Sequence, residues 1–521
     1  MSLLKKILIG LASLIILLII ANFAISYWIT QKLPSIIQSE KDFPYDISYE
    51  DLDIDLLGGN FTILNASLAP KNKPQDTLAK SGAFGTIEKI RVRQFNLWAL
   101  LKNNRIKVNR IIIDTPDIIL YSKEKKYTVQ EDIVQPFKNT IFTEFIELNN
   151  GSFIMLDSLE KTKLKAKSIN LEFKNIKIDS STVEDNVPVK YSSYHFKCDS
   201  LFYQAGSQYH LTAAKINTTD TSLVVDNFKM LPELSRVQFA RTIPKEKDQY
   251  RISVENITTS GSSWGYFKDT LYVHVPKAIL NKVNAVIYRP KMAPDDFTTK
   301  KLYSQMLREL KFDLRVDSLK LKDSYVEYQE QLSYSREAAK VSFSNFNADV
   351  SNIYSPVNKS KFPVTTLKVN ALFMKSAPLN IHWTFNVTDL SDSFTIKGRL
   401  RNIKSEIIDP VSKPLMNITT NGDLDEIYFT FNGNRDISNG AFAIRYEDLK
   451  VELYKKDGKK KNKLMSAVGN LLAKNDSKGE LKEVDVSTER IKDKSVFNFL
   501  WKFLFEGLKK TILPKILSDK D

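Results

Sequence analysis

The sequence is poor in the residues and motifs that many enzymes use to bind metals or phosphates. Its 521 residues include one cysteine, four histidines and 17 glycines. The single cysteine, Cys198, excludes an internal disulfide and a multi-cysteine zinc site. The scarcity of glycine argues against a glycine-rich phosphate loop, and the motifs GxSxG, HExxH and GxxxxGK(S/T) are missing.

The histidines offer no metal site. His195, His210, His274 and His382 lie in segments that alternate like strands. Only His195 has a metal-ligating residue close by, Cys198, and a spacing of three along a strand places two side chains on opposite faces. We therefore predict no catalytic residue, no metal and no cofactor. An enzyme whose carboxylates come from distant strands is the least favoured alternative.

The formal net charge is +15. Such an excess favours contact with anionic lipid headgroups, although lysines mixed with acids along the strands can also serve solubility alone. Nucleic acid is not an expected partner, because no zinc-finger, helix-turn-helix or RNA-binding signature is present.

The first 30 residues are predicted to form a short cytoplasmic tail and a membrane anchor. Ile7–Ile25 is almost entirely apolar, and about 20 such residues span a bilayer. Lys5 and Lys6 precede it, while Tyr27 and Trp28 follow it where an interfacial aromatic belt would lie. A cleaved signal peptide is the alternative, but its usual core has only about 7–15 apolar residues.

Most of the remaining chain alternates apolar and polar residues, which predicts strands with one apolar face. Arg105–Tyr121 (RIKVNRIIIDTPDIILY) is interpreted as two strands joined by a turn at Thr115–Pro116. Ile146–Leu156, with a turn at Asn149–Gly151, and Leu319–Tyr328 are interpreted in the same way. The apolar residues of the first stretch are candidates to line a lipid groove: Ile111, Ile113, Ile118 and Leu120.

Two later segments, Leu379–Val387 and Ile427–Phe431, alternate most cleanly. They supply the other groove candidates: Ile381, Trp383, Phe385, Phe429 and Phe431. In Ala441–Tyr454 the apolar residues change parity, which predicts a bulge or bend near Glu447.

A degenerate internal repeat is predicted from three matches. Leu319 repeats Ile146, VSFSNFNAD repeats LEFKNIKID, and Pro363 repeats Pro188, at offsets of 173, 170 and 175 residues. The predicted segments are the tail and anchor (1–30), a β-groove module ending in a helix at Phe297–Leu310 (31–310), a second β-groove module (311–455), and a basic loop with C-terminal amphipathic helices (456–521).

The last predicted helix, Ser495–Leu517, is strongly apolar with inserted lysines. Its membrane-interface candidates are Trp501, Phe503, Phe505, Lys509 and Lys510. The alternative is a plug that packs on the end of the sheet and protects an edge strand. A shorter helix is predicted at Leu464–Leu472.

A long sheet with one apolar face can hide it in a sandwich, in a barrel, or in an open groove filled by lipid chains. The two ends of the chain resemble those of AsmA-like proteins of diderm bacteria. After the Lys-Lys tail and apolar helix come YEDLDIDLLGGNFTILNASL and IEKIRVRQFNLWALLKNNRIKVNRIIIDTPDIILY, and GAFAIRYEDLKVELYKK precedes VFNFLWKFLFEGLKKTI. The resemblance implies an inner-membrane-anchored periplasmic protein with an elongated, curled, taco-like antiparallel β-groove. It is similar in principle to the repeating β-groove proteins that move phospholipids between membranes.

We therefore predict a non-enzymatic lipid-handling protein of the cell envelope. Its expected partners are phospholipids and the inner membrane, with the outer membrane or an envelope protein as a further candidate. The alternative is an envelope scaffold or outer-membrane assembly factor that binds other proteins through exposed sheet edges.

Overall fold

Strands dominate the structure, a computed structural model, and most neighbouring strands pair antiparallel. The prediction of a mainly β chain is therefore confirmed. The structure describes residues 45–55, 58–70, 82–96, 99, 105–121, 140–179, 182, 186–187, 189–355, 362–455 and 476–512. The chain divides into two compact units, 1–228 and 229–521, and the strand Ser222–Pro232, which crosses this boundary, is described with unit 1. The module boundaries proposed from the sequence stay predictions.

Unit 1 contains a single sheet in its described residues. Its strands are β1 (Tyr45–Ser48), β2 (Asp51–Asp55), β3 (Asn60–Pro70), β4 (Gly82–Arg93), β5 (Arg105–Tyr121), β6 (Thr140–Leu156), β7 (Thr162–Ile178), β8 (Ser193–Cys198), β9 (Ser200–Ala205), β10 (Tyr209–Ala213), β11 (Lys215–Thr219) and β12, which begins at Ser222 and ends at Pro232. Both β1 and β2 pair with β3, and β3 to β7 follow in sequence order. Strands β8 and β9 share the far edge of β7, β11 and β10 follow them, and β12 pairs with β11.

Unit 2 is a longer sheet with short helices. Its strands are β13 (Gln249–Ser260), β14 (Ser263–Phe267), β15 (Thr270–Pro290), β16 (Asp313–Gln331), β17 (Ala339–Tyr354), β18 (Thr365–Phe373), β19 (Ala377–Phe385), β20 (Phe394–Lys404), β21 (Ile418–Gly433), β22 (Ile437–Leu453) and β23 (Lys482–Glu489). Its described helices are α1 (Arg236–Thr242), α2 (Tyr303–Arg308), α3 (Asp409–Met416) and α4 (Val496–Ile512). Strands β13 and β14 pair with the same edge of β15, and β15 to β23 follow in sequence order.

Among the strands that the structure describes, each unit has one parallel pair, β5 with β6 and β15 with β16. In both pairs a residue with positive φ on one strand lies opposite a residue with positive φ on the other. Thr115 faces Asn150 and Lys282 faces Asp323, all with φ between 48° and 52°. The predicted repeat therefore corresponds to a repeated supersecondary motif.

The alignment of that repeat needs one correction. Leu148 of β6 and Leu321 of β16 are equivalent, because each lies two residues before the positive-φ residue of its strand. Leu148 pairs with Leu171 on the next strand, and Leu321 pairs with Ala348. The structural equivalent of Leu171 is therefore Ala348, and not Val341 as the sequence match proposed.

The turns predicted inside three strands are wrong. β5, β6 and β16 run without interruption for 17, 17 and 19 residues. Thr115, Asn150 and Asp323 adopt positive φ within them, and the pairing register with the following strand shifts beside Asn150 and Asp323. A bulge or a single residue with positive φ can shift the alternation of apolar residues by one position, as a turn between two strands also does. The bulge predicted near Glu447 is confirmed, because Asp448 has φ 50° and the β21–β22 register shifts there.

The helix predicted at Phe297–Leu310 is wrong for its first half, because only Tyr303–Arg308 is helical. The preceding residues are not helical: Leu302 is extended, and the Lys300 N–H donates to the Lys492 carbonyl at 2.8 Å. The C-terminal helix is confirmed over Val496–Ile512.

Several predictions fall on residues that the structure does not describe. They are the anchor at Ile7–Ile25, Tyr27, Trp28 and the helix at Leu464–Leu472. Across the residues that it does describe, no helix combines the length and the apolarity needed to cross a bilayer.

Candidate functional site: the apolar face of the sheet

The apolar side chains of unit 2 form two adjacent rows that cross its sheet from β13 to β23. Neighbouring strands pair in register, so each row takes one residue from each of ten strands. Row A consists of Ile257, Leu280, Leu321, Ala348, Val369, Ile381, Gly398, Phe429, Phe442 and Val484. Row B consists of Thr259, Ala278, Leu319, Val350, Leu367, Trp383, Ile396, Phe431, Gly440 and Val486. At about 4.8 Å between strands, each row is on the order of 40 Å long.

The sequence produces these rows through its period of two. Each strand contributes alternate residues to one face, so Leu319 and Leu321 lie side by side on β16 while Lys320 lies on the opposite face. Gly398 has no side chain, and the ring of Phe429 fills its place: a Cβ on Gly398 would lie 2.1 Å from the Phe429 ring. The candidates Ile381, Trp383, Phe385, Phe429 and Phe431 therefore lie on a single face, four of them in rows A and B.

Unit 1 has a comparable apolar face, and its four groove candidates lie on it. Ile111 and Ile113 precede Thr115 of β5, and Ile118 and Leu120 follow it. The alternation shifts by one position at Thr115, which has φ 50°, and all four residues belong to the same core: Ile111, Ile113 and Ile118 are buried in it and Leu120 packs against it. Their partners on β6 are also apolar: Ile146, Leu148, Phe153 and Met155. Ile113 is fully buried, so protein covers this part of the face.

Helix α4 covers the end of rows A and B. The rings of Phe499 and Phe503 lie 5.1 Å and 5.0 Å from the ring of Phe431, between centroids, and Phe431 is fully buried. Gly507 of α4 lies against Phe442, where a Cβ would be only 2.4 Å from the Phe442 Cγ. The lack of a side chain at Gly507 therefore lets the helix approach the sheet.

Trp383 is covered from two directions. The ring of Tyr303 in α2 lies 5.3 Å from it, and the ring of Phe497 in α4 lies 6.3 Å from it. The indole Nε1 is buried with no hydrogen-bond partner in the described part of the chain. Leaving a buried donor unpaired costs about 1–3 kcal/mol. Trp383 thus has an unpaired N–H donor at the edge of the region that α4 covers.

A buried carboxylate holds α2 in this position. Asp392, in the turn between β19 and β20, is fully buried. It accepts hydrogen bonds from the Ser304 hydroxyl at 2.8 Å and from the guanidinium groups of Arg308 and Arg435 at 2.7 Å and 2.5 Å. Burial alone would raise the pKa of Asp392, but these hydrogen bonds outweigh it and the pKa is lowered. The ionised carboxylate therefore fastens α2 to the turns of the sheet.

Rows A and B are only partly covered where they cross β13, β15 and β16. Their large members there are half-buried: Ile257, Leu280, Leu319 and Leu321. The main helix-to-sheet packing of the described residues involves β17 and β21 to β23 instead. This stretch, which we call the open section, lies apart from β21 to β23, the strands on which α4 packs.

The structure divides the predicted membrane-interface residues of α4. Trp501 is 40% exposed and Phe505 47% exposed, and their rings stack with centroids 6.3 Å apart. Phe503 lies instead in the core against Phe431. The Nζ of Lys510 donates to the carbonyl oxygen of Asp485 on β23 at 3.1 Å, and Lys509 is half-buried.

Cys198 and His195, the two residues that could have suggested metal or thiol chemistry, do not form a site together. Cys198 is 1% exposed, and burial raises its pKa to about 11. His195 makes a hydrogen bond of 2.8 Å with Asn217 through its Nε2. Within the described ranges, no three side chains of His, Cys, Asp or Glu are placed to hold a metal ion.

Sequence reasoning missed the open section and Asp392. Leu280 and Leu321 were not chosen because the alternation is interrupted beside them, at Lys282 and Asp323, which have positive φ. Counting apolar residues on both sides of each interruption would have found them. No local signal points to Asp392, because its partner Ser304 is 88 residues away.

No protein-family model matches this chain, and no curated protein is similar to it in sequence. The likeness to AsmA-like proteins therefore stays an expectation from sequence.

Proposed function

We propose that the protein handles lipids in the cell envelope without catalysing a reaction, and that it holds or passes phospholipid acyl chains along rows A and B. The open section supports this proposal most strongly. Large apolar side chains on three neighbouring strands are half-buried there, whereas Phe431 and Phe442 of the same rows are buried under α4. Each buried methylene contributes about 0.8 kcal/mol, so an acyl chain lying on several row positions gains several kcal/mol before the cost of ordering it.

The resemblance to AsmA-like proteins supports the cellular setting of the proposal. In that setting, the first 30 residues anchor the protein in the inner membrane and the remainder lies in the periplasm in a curled groove. Phospholipids moving between the inner and outer membranes are then the ligands.

The mechanism is passive. The acyl chain slides along rows A and B while its polar headgroup stays in water. Helix α4 ends the accessible path, because Phe499 and Phe503 occupy the space over Phe431. Movement of lipid beyond this point requires α4 to leave the sheet.

Two neighbouring residues of β16 provide the test. Leu319 lies in row B, and Ser318 lies on the opposite face. We expect native mass spectrometry of the full chain, purified in detergent, to show bound phospholipid. Leu319→Gln should reduce lipid occupancy and Ser318→Gln should leave it unchanged. If the unaltered protein carries no phospholipid, or if both variants retain it equally, the open section does not hold lipid.

An envelope scaffold is the second candidate, and the exposed aromatic stripe of α4 favours it. Phe497, Trp501 and Phe505 recur every four residues and are 58%, 40% and 47% exposed. A photoreactive residue at position 501 distinguishes the two functions. A membrane-facing stripe gives lipid adducts, whereas a scaffold gives adducts to one discrete envelope protein.

A further inference from the structure

The polar face of unit 2 carries three basic residues in direct register. Lys368 on β18, His382 on β19 and Lys397 on β20 are partners across adjacent antiparallel strands. All three side chains are exposed. We call this set the cation row.

Two other pairs of charged partners in this unit have opposite signs. Lys320 faces Asp349 at 2.7 Å, and Lys404 faces Asp423 at 2.5 Å. Opposite charges in register stabilise a sheet by about 0.2–1 kcal/mol, and like charges destabilise it. Asp349 also faces Lys368 at the end of the cation row, but its ion pair is with Lys320. The cation row thus holds positive charge that the described acids leave unpaired.

The cation row borders a concavity of about 810 Å³. Its lining includes the small side chains of Ala441, Ala443 and Thr430, which leave space in front of the lysines. Asn370 and Asn380 lie beside the row, and the Asn380 amide donates to the Asn370 amide oxygen at 2.6 Å. Each amide group has two N–H donors, so N–H groups remain for a ligand.

Two carboxylates also line the concavity, and neither belongs to the cation row. Glu426 accepts hydrogen bonds of 2.8 Å from the Arg399 guanidinium and from the Tyr428 hydroxyl. Glu483 lies on β23, three strands from Lys397, which is about 14 Å at the usual strand spacing. The positive charge at the row is therefore not neutralised by its own lining.

We propose that this concavity binds a phosphate-bearing anion, held by Lys368, His382 and Lys397 with the amides of Asn370 and Asn380 as further donors. A phosphate monoester carries about −1.5 to −2 charges at neutral pH, which matches the two lysines. Lysine binds phosphate as a point charge and needs no fixed fork geometry. The anion removes the repulsion within the row. The site lies on the face opposite rows A and B, so it does not depend on the proposed lipid function.

The test uses the full chain in phosphate-free buffer with two probes. Inorganic phosphate is titrated calorimetrically, and co-sedimentation is measured with phosphatidylcholine vesicles that contain or lack phosphatidic acid. The double variant Lys368→Gln/Lys397→Gln removes the charge, and Ala441→Leu fills the concavity without changing charge. The control Lys277→Gln/Lys322→Gln removes two exposed lysines of the same unit outside the concavity.

We expect both site variants to weaken binding about tenfold, a loss of about 1.4 kcal/mol, and the control to change it little. If inorganic phosphate binds and its binding is weakened by the site variants but not by the control, the ligand is a free phosphate. If only the vesicles that contain phosphatidic acid show this pattern, the ligand is a lipid headgroup. The proposal is overturned if neither probe binds the unaltered protein, or if the control weakens binding as much as the site variants.

Discussion

Phe503 and Phe431 meet across the boundary between α4 and the sheet, with their ring centroids 5.0 Å apart and both side chains fully buried. This contact places the C-terminal helix on the same apolar face that lies partly open at β13, β15 and β16. One continuous face is thus divided into a covered part and an open part by an element of the same chain.

Replacement of Phe503 by alanine should loosen α4. Loss of a buried phenylalanine ring costs about 3–5 kcal/mol. We expect faster hydrogen exchange throughout Val496–Ile512 in Phe503→Ala. Trp501→Ala, on the exposed side of the same helix, should leave exchange nearly unchanged. Equal exchange in the two variants would show that α4 is not held by its buried stripe.

Replacement of Asp392 by asparagine should destabilise unit 2 in a pH-dependent way. Removal of one partner from a buried ion pair costs about 3–5 kcal/mol. Because the folded pKa of Asp392 is lowered, its stabilisation is fully present above the unfolded value of about 3.9. The stabilisation is lost as the pH falls through the folded pKa. Urea denaturation should therefore separate wild type from Asp392→Asn at pH 7 and bring them together in acid. A difference that does not change with pH would contradict an ionised Asp392.

Replacement of Thr115 by glycine should stabilise unit 1. Thr115 is β-branched and has φ 50°, a backbone conformation that costs a non-glycine residue about 1–2 kcal/mol. Thr86 is exposed on the neighbouring β4 and does not have a positive φ, so it provides the control. We expect the thermal midpoint to rise in Thr115→Gly and to fall in Thr86→Gly. A fall in both would mean that the backbone at Thr115 is not strained.

Modification of Cys198 should require opening of unit 1. The thiol is 1% exposed and burial raises its pKa to about 11, so little thiolate is present at pH 8. Because this is the only cysteine of the chain, Ellman's reagent reports on it alone. We expect slow labelling in buffer and fast labelling in denaturant. Labelling at the rate of a free thiol in buffer would contradict the described packing of β8.

Periodicity predicted the strands well but misjudged how they connect. A bulge and a turn leave the same trace in a sequence, a polar residue such as Asn or Asp followed by a change of parity. The difference is decided by the partner strand. Thr115 lies opposite Asn150 and Lys282 lies opposite Asp323, all with positive φ, so the two strands of each pair change direction together and their pairing continues. Nothing within a single strand carries this information.

The apolar residues of the face were also predicted from the sequence, but not what covers them. Trp383 was identified by its alternation with polar neighbours. Its burial depends on Tyr303 and Phe497, which are distant in sequence. The cation row was missed for a similar reason, since Lys368, His382 and Lys397 become neighbours only through the register of three strands.

Photo-crosslinking in the open section tests the lipid proposal most directly. A photoreactive amino acid is placed at Leu321, in row A, or at the adjacent Lys320 on the opposite face, and adducts of the full chain are identified by mass spectrometry. We expect phospholipid adducts at position 321 and none at position 320. The absence of lipid adducts at 321, or equal adducts at both positions, would contradict a lipid-holding face.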